Sequence, residues 1–85
     1  MVAAGIEAVS EGDFSATSNA TKLSFKTGAS EAATEKVAIS SAGNLSLTAS
    51  NTELRFYEGS NYVGFEAPAL SADKIWVLPL SLIHI

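Results

Sequence analysis

Glu53 and Glu66 form the side-chain pair of this sequence that comes nearest to a catalytic arrangement. Two carboxyl groups can act as general acid and general base in glycoside hydrolysis. The β-hairpin derived below places the two glutamates opposite each other, with Arg55 diagonal to both. Because no cleft-forming segments surround the pair, we interpret it as a solvated pair at the edge of a sheet.

The same hairpin contains side chains with the chemistry of a sugar-binding surface. Tyr57 and Tyr62 have rings on which a saccharide can stack, and Asn61 has an amide that can orient it. Cross-strand packing also explains the two tyrosines, and turn chemistry also explains Asn61. Trp76 is interpreted as a core or interchain contact. These four residues are therefore candidate glycan or interchain contacts.

Other kinds of catalytic or metal site have no support in the sequence. The chain has no cysteine, which excludes disulfides, a thiolate nucleophile and cysteine-ligated zinc. The single histidine, His84, has no partner residues, and Asp13, Glu31 and Glu35 lack the spacing of a calcium loop. The sequence has no glycine-rich phosphate loop, nucleophile elbow or HExxH motif. We therefore expect no enzymatic activity, no cofactor and no metal.

Composition restricts the partners that this chain can have. The 85 residues have a formal net charge of -4 and a pI near 4.7. This charge argues against binding nucleic acid or an anionic membrane. The longest apolar run, residues 75–85, is shorter than the about 20 residues that a membrane-spanning helix needs. The sequence therefore indicates a soluble chain.

Small side chains dominate the sequence and favour oligomerisation. Alanine, serine, threonine, glycine and asparagine together make up 42 of the 85 residues. Such side chains bury little apolar area, at roughly 25 cal/mol per Å². A chain this short with a thin core normally needs disulfides, a metal or partner subunits. Since the first two are missing here, we expect an oligomer.

The elements that position the candidate residues are predicted to be short antiparallel strands in a meander, so the fold class is all-β. Residues 1–21 are predicted to be an irregular strand or a weak helix, because the apolar spacing is helical but glycines interrupt it. A β-rich segment follows over residues 22–79, in which apolar and polar residues alternate. Its six predicted strands contain residues 22–27, Val37 and Ile39, Leu45 and Leu47, Leu54 and Phe56, Val63 and Phe65, and residues 75–78.

Two hairpins have a register that follows from their loops. In the first, a three-residue loop at 42–44 is predicted to place Ile39 opposite Leu47, with Asn44 in the left-handed conformation. In the second, a Gly59-Ser60 turn of type II′ is predicted to place Tyr57 opposite Tyr62. The same register pairs residue 56 with 63 and residue 54 with 65.

Four segments of the chain resemble a known family. They are KLSFKTG at residues 22–28, SSAGNL at 40–45, LRFYEGSNYVGFEAP at 54–68 and DKIWVLP at 73–79. Together they resemble tail-fibre and related fibrous structural proteins of tailed bacteriophages, over about residues 13–79. The resemblance implies an extended trimeric β shaft on the virion, assembled in the host cytoplasm and without catalytic residues. It also implies that host receptors or surface glycans are contacted by the parent protein. The alternative is a small extracellular adhesin-like β module that binds glycans through Tyr57, Tyr62 and Asn61.

The last six residues are interpreted as a non-native tail. LSLIHI at residues 80–85 is the translation of CTG TCT CTT ATA CAC ATC, which resembles the adapter of transposase-based sequencing libraries. The alternative is a natural apolar terminal strand. The glycine- and aspartate-rich turn that follows the L-P segment in the fibre family is also missing here. We therefore expect the parent protein to continue past Pro79.

Overall fold

The fold is an all-β arrangement of six antiparallel strands in two sheets. The structure is a computed structural model that describes residues 1–80. The strands are β1 (Ala4–Ser10), β2 (Thr21–Thr27), β3 (Thr34–Ile39), β4 (Leu45–Leu47), β5 (Leu54–Glu58) and β6 (Asn61–Phe65). Strands β1 to β4 form one sheet in chain order, and β5 and β6 form a separate hairpin. The predicted all-β fold class is confirmed. No helix that could cross a membrane occurs within residues 1–80.

The N-terminal segment is a strand where a helix was one of two predicted alternatives. Residues 4–10 form β1, which pairs along its full length with β2. Ile6 lies opposite Phe25, and Ala8 lies opposite Leu23. Pairing with β2 satisfies the backbone of β1 and aligns its apolar residues with apolar partners, whereas Gly5 would weaken a helix. The helical alternative is therefore wrong for these residues.

The hairpin of β3 and β4 has the predicted loop length but begins one residue earlier. Ile39 lies opposite Leu45 instead of Leu47, and Val37 lies opposite Leu47. The amide of Ser40 donates to the carbonyl of Asn44 at 3.0 Å, which leaves residues 41–43 as the loop. Gly43, with a φ of 91°, occupies the left-handed position that was predicted for Asn44. Glycine adopts this conformation without steric cost, so the turn forms around it.

The hairpin of β5 and β6 agrees with its prediction. Tyr57 lies opposite Tyr62, Phe56 opposite Val63 and Leu54 opposite Phe65. Gly59 has a φ of 64°, as the first central residue of a type II′ turn requires. A two-residue turn allows only one pairing register for the two strands, and the position of Gly59 shows where that turn lies.

The predicted sixth strand is wrong. Residues 75–78 are not in a strand, and their side chains are 74–89% exposed. Their apolar residues fall on both faces, a pattern that requires cover on both sides of a strand. No neighbouring element within the described part of the chain supplies this cover, and Pro79 has no amide hydrogen for a ladder. The prediction for residues 81–85, including His84, lies outside the described residues.

One β-bulge separates apolar from polar residues in the larger sheet. The register of β2 and β3 shifts after Phe25, so that Val37 pairs with Phe25 but Glu35 pairs with Lys26. Lys36 is the extra residue of β3 and has no partner in β2. Without the bulge, Glu35 would share the face of Val37, because side chains two residues apart point to the same side. The bulge instead moves Glu35 to the polar face.

The result is an apolar face that nothing in the described chain covers. We call it the sheet patch: it consists of Ile6, Ala8, Leu23, Phe25, Val37, Ile39, Leu45 and Leu47. Ile6 is 71% exposed and Leu45 is 62% exposed, and the central members are half-buried. Across residues 1–80, only Ser24 and Ala38 are buried, and both lie on the opposite face. The sheet therefore has an apolar side but no core.

Candidate functional site

Tyr57 and Tyr62 pack against each other across the second hairpin. Their ring centroids are 5.3 Å apart and their planes are tilted by 46°. Directly opposed aromatic residues stabilise a hairpin by about 0.2–1 kcal/mol. The predicted cross-strand packing is therefore present, and it places the two rings on one face of the hairpin.

The ring of Tyr62 is covered by the side chain of Arg55. The guanidinium carbon lies 4.1 Å from the ring centroid, which is the geometry of a cation–π interaction. The same guanidinium donates from Nη1 to the hydroxyl of Tyr57 at 3.4 Å and from Nε to Glu53 at 2.7 Å. These two hydrogen bonds raise the pKa of Arg55 further above its usual value. Arg55 therefore remains charged and occupies the stacking surface that a sugar would use.

A glycine in β6 allows Arg55 to lie across the hairpin. Gly64 is directly opposite Arg55. A Cβ atom at position 64 would lie 2.9 Å from the carbonyl oxygen of Leu54 and 3.4 Å from Cγ of Arg55. The distance to the carbonyl oxygen is too short for an unstrained contact, and the distance to Cγ of Arg55 leaves no spare room. The absence of a side chain at Gly64 thus leaves the space in which Arg55 reaches Tyr62.

The two predicted opposing glutamates do interact. Their carboxyl groups share a hydrogen bond, which lowers the pKa of Glu53 and raises the pKa of Glu66. Arg55 also lowers the pKa of Glu53 by hydrogen bonding to it. Paired glycosidase carboxyl groups stand about 5–10 Å apart, with the substrate or water between them. Carboxyl groups in direct contact do not leave that space.

Asn61 does not join the tyrosines. It pairs with Glu58, one residue beyond the Tyr57–Tyr62 pair. Since successive side chains of a strand point to opposite faces, Asn61 lies on the face of Phe56 and Val63. The three residues predicted to bind a glycan together are therefore divided between the two sides of the hairpin.

The face opposite the tyrosines is a second uncovered apolar surface, which we call the hairpin patch: Leu54, Phe56, Val63 and Phe65. The rings of Phe56 and Phe65 meet edge to face, with centroids 6.4 Å apart. The four side chains are nevertheless 44–65% exposed. An apolar cluster this exposed is typical of an interaction surface.

A groove of about 1070 Å³ lies between the two apolar patches. Its lining includes Leu47 from the sheet patch, Leu54 and Phe65 from the hairpin patch, and Trp76. Trp76 is 84% exposed and so does not lie in a core of this chain. The core interpretation of Trp76 is therefore wrong, whereas an interchain contact stays a prediction.

The polar face of the larger sheet is held together within the chain. Glu35 accepts hydrogen bonds from Ser24 at 2.7 Å and from Lys22 at 3.0 Å. These partners lower the pKa of Glu35 to about 2, with the Ser24 hydroxyl as the largest cause. Lys26 forms a second ion pair, with Glu7 at 2.6 Å. Sequence reasoning missed this cluster, because the bulge that brings Glu35 to this face has no clear sequence signal.

The contact between Arg55 and Tyr62 was also missed, although the predicted register contained its signal. That register already placed a glycine opposite Arg55 and an aromatic residue one step along the same face. Within the part of the chain that the structure describes, no cluster of three or more histidine, cysteine or acidic side chains could hold a metal. No family model matches the sequence, and no curated protein or solved structure matches the chain.

Proposed function

We propose that this chain is a segment of the tail-fibre shaft of a tailed bacteriophage, where three copies assemble into a β-rich rod. It has a mechanical role on the virion: it holds the parts of the parent protein that reach host receptors or surface glycans. It carries out no catalysis and needs no cofactor. The resemblance of residues 22–28, 40–45, 54–68 and 73–79 to fibre proteins is the sequence support for this proposal.

The observation that carries the proposal is the pair of uncovered apolar patches. The strands form complete ladders, yet they bury only two residues among those described. A sheet with one apolar face must pack that face on another layer to be stable. In a fibre, the other layer belongs to a neighbouring chain.

The exposed area supports an obligate assembly. The chain exposes 7419 Å², whereas a compact monomer of this mass exposes about 4,800 Å². The radius of gyration is 16.7 Å, compared with about 12 Å for a compact chain of this length. The excess of about 2,600 Å² per chain is in the range of obligate interfaces.

The adhesin alternative has less support from the geometry. A sugar-binding platform requires an open aromatic face with polar groups beside it. Here Arg55 covers the ring of Tyr62, and Asn61 lies on the other side of the hairpin. No observation favours this alternative over the shaft.

Sedimentation equilibrium of the 85-residue chain tests the proposal. We expect a single species of three times the monomer mass, which dissociates and loses its β-sheet circular dichroism signal in one transition. A folded monomer at micromolar concentration would contradict the proposal. Binding of the folded monomer to a glycan array, with loss of binding on Tyr62→Ala, would support the adhesin alternative instead.

A further inference from the structure

The two apolar patches of one chain lie beside the same groove but do not pack on each other. Leu47 lines it from the sheet patch, and Leu54 and Phe65 line it from the hairpin patch. The groove has a volume of about 1070 Å³, and in it Leu54 and Phe65 are 44% and 63% exposed, whereas Leu47 is half-buried. Each patch therefore needs an apolar surface that residues 1–80 of its own chain do not supply.

We propose that the hairpin patch of one copy packs on the sheet patch of the next copy, so that three copies close head to tail into a ring. This inference rests on the homotrimer proposed above and names the surfaces that form its interface. Two different surfaces meet in such a contact, so it repeats around an axis until the ring closes.

The connection between the two sheets favours contact with a neighbouring copy over closure within one chain. The segment between β4 and β5 is an ordered turn, in which the hydroxyl of Thr52 donates to the carbonyl of Ala49 at 2.7 Å. Asn51 has a φ of 62°, a left-handed conformation that asparagine tolerates in turns. In addition, the amide of Thr48 donates to the carbonyl of Lys36 and extends the β3–β4 ladder to the start of the turn. These contacts define the conformation of the connection, and in that conformation the hairpin strands do not pack on the strands of their own sheet.

The hairpin patch is small enough to fit on the sheet patch, and both patches lack charge. The hairpin patch has two rows of two side chains and the sheet patch has two rows of four. Neither contains a charged residue, although the chain has a net charge of -4. Glu53, Arg55 and Glu66 lie on the opposite face of the hairpin, whereas Glu58 lies on the patch face, at the turn end of β5. No member of either patch carries a charge that packing would bury, and Glu58 has to stay at the rim of the contact, beside the turn.

The hairpin gains most from this contact. An isolated two-stranded hairpin is marginally stable in water. Its four exposed apolar side chains present roughly 400 Å², if a whole aromatic side chain counts as about 150–250 Å². That is about half of one partner's share of a standard interface. The remaining share has to come from contacts along the groove, where Trp76 is exposed.

Thiol cross-linking tests the arrangement, because the natural chain contains no cysteine. The double variant carries Leu23→Cys at the centre of the sheet patch and Val63→Cys in the hairpin patch. Cysteine behaves as a small apolar residue, so both substitutions preserve the chemistry of the patches. The folded variants are treated with a short bifunctional maleimide and run on a denaturing gel. The two single variants are the matched controls.

We expect the double variant to be converted mainly into a covalent trimer, and each single variant to remain monomeric on the gel. An equal mixture of the two single variants, refolded together, should yield covalent dimers. Cross-linking of Val63→Cys alone would show that like patches meet, which would overturn the inference. A cross-link within one chain of the double variant, or none at all, would also overturn it.

Sedimentation of the cysteine-free chain separates this inference from the proposed function. If that chain is a trimer and the cross-links are absent or homotypic, only the head-to-tail contact is wrong. If that chain is a folded monomer, both proposals are wrong.

Discussion

The larger sheet and the second hairpin differ in how far they are stabilised by contacts within the chain. Both have one polar and one apolar face, and both leave the apolar face uncovered. The polar face of the sheet buries Ser24 and Ala38 beneath ion pairs. The hairpin buries no residue, and its polar face depends on the contact of Arg55 with Tyr62. The sheet is therefore partly complete as a single chain, whereas the hairpin is the region that the proposed assembly has to complete.

The strongest way to break this comparison is to place a charge on each face of the hairpin in turn. Phe56 and Tyr57 are adjacent and are 54% and 61% exposed, but they lie on opposite faces. Phe56→Asp would bury an unpaired charge in each interface, at a cost of several kcal/mol. We expect the concentration for half-assembly to rise by at least about 100-fold, as measured by sedimentation velocity.

Tyr57→Asp is the matched control for that experiment. It adds the same charge at similar exposure but on the face that we expect to point to solvent. Trimer assembly should persist, with the loss of a tyrosine pair worth about 1 kcal/mol. Equal loss of assembly in the two variants would show that the hairpin does not have one inner and one outer face.

Alanine substitution of two strand glycines, one in the hairpin and one in the sheet, should give a smaller difference, in the free energy of unfolding. Gly64→Ala in β6 would bring a Cβ atom within 2.9 Å of a backbone carbonyl oxygen. We expect this substitution to destabilise the protein by about 1–3 kcal/mol, as overpacking commonly does. It should also disturb the cation–π contact, because the peptide group of Leu54, which leads directly into Arg55, has to shift. Thermal unfolding followed by circular dichroism measures the loss.

Gly5→Ala in β1 is the control in the larger sheet. A Cβ atom at this position meets no atom within 4 Å, and Gly5 does not have a positive φ. We expect a neutral effect or a stabilisation of about 0.4–1 kcal/mol from the reduced entropy of the unfolded chain. If both alanine variants unfold at the same temperature, Gly64 has no special role in the hairpin.

The hairpin and the sheet also differ in how much of their structure could be predicted from the sequence. The register of the second hairpin was predictable because a two-residue turn with Gly59 allows one pairing, and Gly64 opposite Arg55 came with it. The predicted register of the first hairpin was displaced, because a three-residue loop at 41–43 and one at 42–44 both place the apolar residues of the two strands on the same face. Only the conformation of Gly43 distinguishes the two loops. The partners of Glu35 depend on a bulge, and the pairing of β1 depends on residues about 20 positions away.

Two carboxyl groups, one in the sheet and one in the hairpin, should contribute to stability with opposite pH dependence. The folded-state pKa of Glu35 is about 2, below its ordinary value of 4.5. Its contribution to stability is therefore present above pH 4.5 and is lost as the pH falls toward 2. In the hairpin, the pKa of Glu66 is raised by its hydrogen bond to Glu53. Its contribution is present below pH 4.5 and is lost as the pH rises through its folded-state pKa.

Carbon-detected NMR titration of the carboxyl groups measures both effects. We expect Ser24→Ala to raise the pKa of Glu35, because the Ser24 hydroxyl is the largest cause of its shift. We expect Glu53→Gln to lower the pKa of Glu66, because it removes the carboxylate that faces Glu66. Glu35→Gln should flatten the loss of stability between pH 4.5 and 2, whereas Glu66→Gln should leave that loss in place. If the two substitutions shift the pKa values of Glu35 and Glu66 in the same direction, the polar faces of the sheet and the hairpin do not act on their carboxyl groups in opposite ways.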